Sequence, residues 1–485
     1  VTPSVFDPDL SSTAVAETGL SDIDSETGEL RIQGYPVEDL AENASYEEAA
    51  WLLFYGRLPT DEELTEFTDE LAAARGLTRE VHRLIRAGAE AGASAMDVLR
   101  MGLAAGSLDS DGEDLPLATR RVVATCPTIV AAYWRQRQGE TPVRPREDLT
   151  HTANFLYMLS GEEPDESTVE GLETYLTAII EHGLNPSSFA ARIVGSTGSD
   201  PFSAATGAVG TLKGPRHGGA LERVFETLAA IDEESDRSAS VEERFEAEGS
   251  VAGFGHSVYD TRDPRADLLD RVAERVFEGR ESMAFLRDAR RLDDAAEEYL
   301  ADHYPEQQMH VTVDYYAAVL LSGLDIPPEL FTATFAVGRA AGWMAHYREQ
   351  FESETLLRPR TRYSGPEERS WVPRSDRYVA GDSNAPSPDA LAGLSSVLGA
   401  LSEPARLELL VVLYESGEPL SYSTLRARSS IDDKGRFNYH LRKLRGVFVA
   451  KTESGYVLTE PGRTVVEMLL DDEGLLADVS GERRG

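Results

Sequence analysis

Long runs with apolar residues three and four apart constrain this chain more than any other feature. SYEEAAWLLFYGRLPTDEELTEFTDELAAARG from Ser45, HTANFLYMLSGEEPDESTVEGLETYLTAIIEHGLN from His151 and PPELFTATFAVGRAAGWMAHYREQFE from Pro327 all carry this spacing. It is the period of a helix with one face turned to a core. Gly56 and Pro59 break the first run into two helices. Alternating β-type runs are scarce before Arg374, so the expectation is a large all-helical domain.

After Arg374 the character changes. RYVAGDSNAPSPDA, Arg377 to Ala390, is rich in Gly, Pro, Ser and Asp and reads as a linker. Beyond it, Leu391–Ala400 and Ser402–Ser416 read as helices, with Ser402 as N-cap and Gly417 as stop. Ser421–Arg428 and Lys434–Arg445 read as two more. GVFVAKTESGYVLTE reads as two strands around a Glu-Ser-Gly turn. The last three of these helices, followed by a β-wing, have the order of a winged helix-turn-helix module. The expected layout is therefore a mainly α domain over 1–376 with large and small helical subdomains, a linker over 377–390, a small α+β module over 391–470 and a tail over 471–485.

The 485 residues carry 85 acidic and 47 basic side chains, a net charge of -38. Such a surface is solvated and self-repelling, and suits a high-salt cytoplasm of the haloarchaeal, halophilic type. It argues against the whole chain being a polyanion binder. The segment Ala390–Leu470 differs, with 10 basic against 9 acidic residues. Cys126 is the sole cysteine, which excludes an internal disulfide and a cysteine-rich metal site; it reads as a core residue at a helix start before Pro127. The opening VTPSVFDPDL has no basic or apolar leader character, and no apolar run reaches the ~18 residues of a membrane span. A soluble, cytoplasmic protein with no membrane partner is expected.

No HExxH, phosphate-binding G-x-x-x-x-G-K-[ST] or G-x-S-x-G pattern is present, and no metal site is expected. Three other segments stand out: TLKGPRHGGALERV with His217, VAGFGHSVYDTRDPRA with His256 and Arg265, and HVTVDYYAAVL with Asp314. Each sets a titratable residue beside Gly, Pro or a helix start. Arg339 lies in the apolar GRAAGWMAH, where an unpaired charge is costly and an anion partner explains it. His151, His310 and His346 read as structural.

In that order the three segments resemble the citrate synthase family. SETGELRIQGYPVEDLAE, NFLYMLSGEEP, EHGLNPSSFAARIVGSTGSD, FAVGRAAGWMAHYREQ and LLRPRTRYSG extend the resemblance over about Gly19 to Gly365. It implies an acyltransferase that condenses acetyl-CoA with oxaloacetate and water to citrate and CoA, with the CoA thioester as substrate and no separate cofactor. It implies Asp314 as the base, His217 as the enol donor and His256 as the donor to the ketone. Arg265, Arg339 and Arg358 would hold the substrate carboxylates, Arg358 from the second subunit of a homodimer, with His182 and Asn185 as further contacts. Val251, Ala252, Gly253, Phe254 and Gly255 would approach CoA, with Arg262 at its phosphates.

Several positions depart from the family pattern: Ser257 and Asp260 stand where basic residues are common, and Ile179, Leu221, Thr312 and Arg216 are also unusual. Propionyl-CoA as substrate, giving 2-methylcitrate, is one alternative. A metabolite-sensing transcription regulator on this scaffold, with little turnover, is another. RFNYHLRKLRGVFVAKTESGYVLTEPG in turn resembles winged-helix regulators of the ArsR-like kind. On its third helix Arg436, Asn438, Tyr439, His440, Arg442 and Lys443 suit contacts to DNA phosphates and base edges.

Overall fold

The computed structural model describes residues 6–8, 10, 13–25, 27–109, 112–230, 252–255, 259, 261–304, 309–366, 370–371, 399–452 and 454–471. They divide into two compact units, Val1–Arg362 and Tyr363–Gly485.

The first unit opens with a small antiparallel sheet of β1 (Ser21–Asp24), β2 (Glu29–Ile32) and β3 (Tyr35–Pro36), in which Ser21 faces Ile32 and Arg31 faces Pro36. These strands are too short for their period to show in the sequence. Helices follow: α1 (Val37–Asn43), α2 (Tyr46–Tyr55), α3 (Asp61–Ala73), α4 (Arg79–Glu90), α5 (Ala95–Gly106), α6 (Leu115–Arg137), α7 (His151–Ser160) and α8 (Glu166–Ala178). Then come α9 (Pro186–Ser196), α10 (Pro201–Leu212), α11 (Ala220–Ala229), α12 (Pro264–Val276), α13 (Ser282–His303), α14 (Val313–Gly323) and α15 (Phe331–Glu352). Mainly helical structure is thus found as expected. The acid-rich composition serves the helix starts: Asp165, Asp200 and Asp263 accept backbone N–H bonds there, and Ser45 and Thr60 close capping boxes with Glu48 and Glu63.

The core is organised around α15, which is buried along most of its length and packs against α6, α9 and α10. A helix apolar on all sides belongs at the centre of a large helical domain. Gly342 explains how closely its neighbours come. A Cβ there would lie 2.2 Å from the Ile180 carbonyl oxygen and 2.7 Å from Glu181 Oε2. The segment that carries His182 therefore rests directly on α15. Cys126 is not at a helix start. It lies in the middle of α6, fully buried, because the helix continues through Pro127. Burial pushes its thiol up to about 12, which makes it a core residue.

The second unit comprises α16 (Pro404–Ser416), α17 (Tyr422–Arg428), α18 (Lys434–Leu444), the antiparallel hairpin β4 (Val449–Thr452) and β5 (Gly455–Leu458), and α19 (Glu460–Asp471). Leu420 bridges Tyr456 at the open edge of the hairpin. Leu409, Leu413, Phe437, Leu441, Phe448 and Tyr456 form a separate core. Gly417 ends α16 in the left-handed conformation at φ 63. Ser402 does not cap α16, since Glu403 precedes the helix and the Ser402 hydroxyl donates to the Gly399 carbonyl. The expected linker at 377–390 and residues 391–398 of the helix expected over 391–400 lie outside the described residues, as does the tail beyond Asp471. The sequence reading did not resolve α19, which closes over the hairpin and α16.

Candidate active site

The site is assembled where three chain segments meet. Gly253 and Gly255 have φ values of +87 and +84, which glycine adopts without strain. Between them Phe254 bridges Val311, while Thr312 N donates to the Gly253 carbonyl and Gly255 N donates to the His310 carbonyl, each at 2.8 Å. A side chain at Gly253 would also strike the Tyr315 ring at 2.8 Å. This pairing fixes the Gly-rich stretch beside the N-terminus of α14, whose second residue is Asp314.

Asp263 ties the third segment in. Fully buried, it caps α12 through Arg265 N, accepts from Arg265 Nε at 3.0 Å and Nη2 at 2.8 Å, and accepts from Val313 N at 3.2 Å. One carboxylate thus orients the Arg265 guanidinium and the first turn of the Asp314 helix. The ion pair holds Arg265 well above its usual range, so it is cationic despite burial. No hydrogen bond is made by Arg265 Nη1 among the described residues.

Arg339 presents the second buried guanidinium. Its Nε donates to the Ile179 carbonyl and its face lies 4.8 Å from the Phe335 ring centroid. Its terminal nitrogens make no hydrogen bond among the described residues. Burial lowers it to about 10, still cationic at neutral pH. Both arginines act on Asp314, yet burial dominates and pushes that carboxyl up to about 6; Asp263 and Glu222 add to the rise. A carboxylate so placed is a stronger base than one in water.

His217 lies in the turn between α10 and α11, half-buried. Its Nε2 is 2.8 Å from Ser187 Oγ, which also accepts from Trp343 Nε1 at 3.0 Å and lies 2.7 Å from Asn185 Oδ1. Burial, with Arg339 adding, lowers His217 to about 4, so the ring is neutral at pH 7. His182 is buried, with Nε2 3.0 Å from the Tyr259 hydroxyl. Beneath it a polar chain runs through the core. Arg192 Nε donates to His346 Nδ1 at 2.9 Å, and His346 Nε2 donates to Glu181 Oε1 at 2.8 Å. Glu181 also accepts from Ser21 Oγ, which takes the Gly183 N–H.

His217, Asp314, Arg265, Arg339 and His182 are therefore held in the first unit by segments that interlock, with Ala252, Gly253 and Gly255 along its edge. His256 and Val251 lie outside the described residues, as do Ser257 and Asp260. Four expectations are corrected. Asn185 is spent on structure: its Oδ1 accepts from Ser187 N and Ser188 N, and its Nδ2 donates to the His182 and Gly183 carbonyls and to Ser188 Oγ. It shapes the turn that carries His182. Arg262 is held by Asp267, Asp293 and Glu297 at 2.5–2.7 Å, so its charge is already balanced and it has no call on CoA phosphates. Phe254 turns its ring into the core against Tyr315, which leaves only its backbone to meet a ligand. In the second unit His440 is buried beside Arg406 Nε, away from the outer face of α18.

Arg436, Asn438, Tyr439, Arg442 and Lys443 are exposed on that helix, with Asn438 Oδ1 accepting from the Tyr422 hydroxyl. Arg358 is exposed after α15 and makes no hydrogen bond or ion pair among the described residues. Sequence reasoning missed Asp263, Ser187, Glu181 and Tyr175. The Tyr175 hydroxyl is buried, has no hydrogen-bond partner among the described residues, and feels Asp314 and Arg339. Asp263 was within reach, because an N-cap directly before Pro-Arg is legible in DPRA.

Comparison with known proteins gives the family. Residues 9–360 match the family described as citrate synthase, C-terminal domain; residues 395–469 match a family described only as a domain of unknown function. The citrate synthase of Haloferax volcanii is 41% identical over 378 residues, covering 76% of this chain and 98% of that protein. A 2-methylcitrate synthase of Mycobacterium tuberculosis is 36% identical over 366 residues, covering 74% and 91%. The solved citrate synthase of Thermoplasma acidophilum, a ternary complex with carboxymethyl coenzyme A and oxaloacetate, superposes with a TM-score of 0.69 at 28% identity, covering 76% and 98%. By the residues matched and by these relatives, the chain belongs to the citrate synthase family of acyltransferases.

Proposed function

We propose that this chain condenses acetyl-CoA with oxaloacetate and water to give citrate and CoA. The observation that carries the reading is Asp314, a carboxyl raised to about 6 beside two buried arginines with unspent donors. Asp314 takes a methyl proton from the thioester. Neutral His217 donates a hydrogen bond to the enol oxygen as charge gathers there. The new carbon–carbon bond forms at the ketone carbon, and His256 protonates the resulting alkoxide. Water then cleaves the thioester and releases CoA. Arg265 and Arg339 hold the two carboxylates of oxaloacetate through forked donors. Arg358 completes the site of a second copy in a homodimer, which accounts for its exposure in a single chain.

A thiol-release assay at high salt, with oxaloacetate and either acetyl-CoA or propionyl-CoA, tests this. CoA release with acetyl-CoA is expected. Release with propionyl-CoA alone supports 2-methylcitrate synthesis, the reading favoured by the Mycobacterium relative. Release with neither sinks both and favours the metabolite-sensing regulator.

For the second unit we infer a winged-helix module that binds DNA through α18. Its support is the order of three helices and a hairpin, with Arg436, Tyr439, Arg442 and Lys443 exposed on the third. A gel shift that Arg436→Ala and Arg442→Ala leave unchanged would remove this reading.

A further inference from the structure

Among the described residues of the first unit, every buried tyrosine but one has its hydroxyl bonded. Tyr46 donates to the Val337 carbonyl, Tyr133 to that of Ala93, Tyr315 to that of Ala289 and Tyr347 to that of Ser199. Tyr316 donates to Asp293 Oδ2, and the Tyr259 hydroxyl meets His182 Nε2. Tyr175 is the exception: it is fully buried and its hydroxyl has no partner among the described residues. A buried hydroxyl of this kind has given up its bonds to water for nothing in return. A phenylalanine would fill the same space without that cost.

The surroundings select the missing partner. Tyr175 lies on α8, which packs against α12, α14 and α15, the helices that carry Arg265, Asp314 and Arg339. One turn on, Ile179 N donates to the Tyr175 carbonyl at 3.1 Å, and the Ile179 carbonyl takes the Arg339 Nε–H. The charges that act on the hydroxyl are, in order, those of Asp314, Arg339, Glu222 and Arg265. Burial holds the phenol well above its ordinary range, so it keeps its proton and is a donor. The two guanidiniums have no acceptor to offer it. Glu222 Oε1 already accepts from Thr332, and Asp314 makes no bond with the hydroxyl. What remains is an acceptor carried by a ligand. The keto acid carries one, in the carboxylate assigned above to the terminal nitrogens of Arg339.

We propose that Tyr175 is a further substrate contact, whose hydroxyl donates a hydrogen bond to the oxaloacetate carboxylate held by Arg339, a role that rests on the binding of oxaloacetate argued above. The neutral donor adds direction to the charge. A guanidinium attracts any nearby anion, whereas the hydroxyl favours an oxygen at one point.

Calorimetry with oxaloacetate on the full chain tests this without turnover. Wild type binds oxaloacetate, and Tyr175→Phe binds it about tenfold or more weakly, as loss of a hydrogen bond to a charged group predicts. In the assay its KM for oxaloacetate rises as well, while kcat stays within about twofold of wild type. Without ligand Tyr175→Phe melts at or above wild type, since the unpaired hydroxyl is gone. Oxaloacetate then raises its melting temperature less than it raises that of wild type. The rise of kcat with pH keeps its wild-type midpoint. Absence of oxaloacetate binding by the wild type overturns this contact together with the citrate synthase reading. Equal affinity in wild type and Tyr175→Phe overturns the contact alone, and loss of binding in Arg339→Met shows that the reading survives it. A ligand-free melting temperature below wild type means that the hydroxyl is already bonded in the free protein, and a displaced kcat midpoint places it on Asp314; either result also overturns the contact.

Discussion

The two units carry positive charge in opposite ways. In the first, Arg265 and Arg339 are each 2% exposed and fixed by specific partners. In the second, Arg436, Arg442 and Lys443 stand in solvent on one face of α18. A buried charge is preset, weakly screened and expensive to leave alone; an exposed one is adaptable, and salt weakens it. The first arrangement suits a small ligand bound in one pose. The second suits an extended polyanion met through many modest contacts.

The largest expected effect lies at the buried pole. Asp314→Asn lowers turnover by about 10²–10⁴-fold, the usual contribution of a general base. The wild-type kcat/KM falls as pH drops below about 6, where Asp314 takes up its proton. The sign for stability is the reverse. The folded-state pKa lies above the ordinary 3.8, so ionising Asp314 opposes folding. That penalty is full above about pH 6 and fades as pH falls toward 4. Asp314→Asn therefore melts higher than wild type at pH 7 in a thermal scan. A lower melting temperature breaks the assignment of a strained, buried base.

The two arginines separate next. Arg265→Met strands the buried Asp263 carboxylate and destabilises the fold by about 3–5 kcal/mol in urea titrations. Among the described residues Arg339 has no carboxylate bonded to it. Arg339→Met keeps the melting temperature while raising the KM for oxaloacetate by about a hundredfold, within the range of a lost buried charged contact. Equal stability losses in the two variants would contradict the division between a paired and an unspent guanidinium. Smaller again is Gly342→Ala, which forces α15 away from the Ile180 carbonyl and costs about 1–3 kcal/mol of stability. Its KM for oxaloacetate rises as the His182 segment shifts. The smallest effect belongs to the second unit. Arg436→Ala and Arg442→Ala each reduce the salt dependence of DNA binding by about one counterion. Retention of the full slope would mean that α18 does not face phosphate.

Much of the first unit was legible because helical period is a local property and the motif segments are contiguous. The glycines around His256, the helix starts before Asp314 and Arg265, and the apolar setting of Arg339 can all be read along the chain. The partners could not be read that way. Asp263 is one acid among 85, and only the fold reveals that it clamps Arg265 and Val313 together. Arg262 looked available because its three carboxylates come from α12 and α13, up to 35 positions away. His440 shares a helix with exposed bases, but the packing of Arg406 decides that it points inward. The strands β1 to β3 escaped for another reason: at four residues or fewer they do not establish a period of two, and the equally short β4 and β5 were legible only through the turn between them.

Ser187 has one hydroxyl proton and two neighbours able to receive it. If Asn185 Oδ1 takes it, His217 must bring a hydrogen on Nε2, and its Nδ1 becomes a bare lone pair. If His217 Nε2 takes it, the ring must carry its hydrogen on Nδ1 and becomes a donor on the far side. Asn185 Oδ1 keeps its two backbone N–H bonds in either arrangement, so the turn that carries His182 stays held. The reaction proposed here uses the second arrangement. The direction of one serine hydroxyl is thus coupled to the tautomer of the histidine, and with it to whether the imidazole offers the developing enolate a hydrogen or a repelling lone pair.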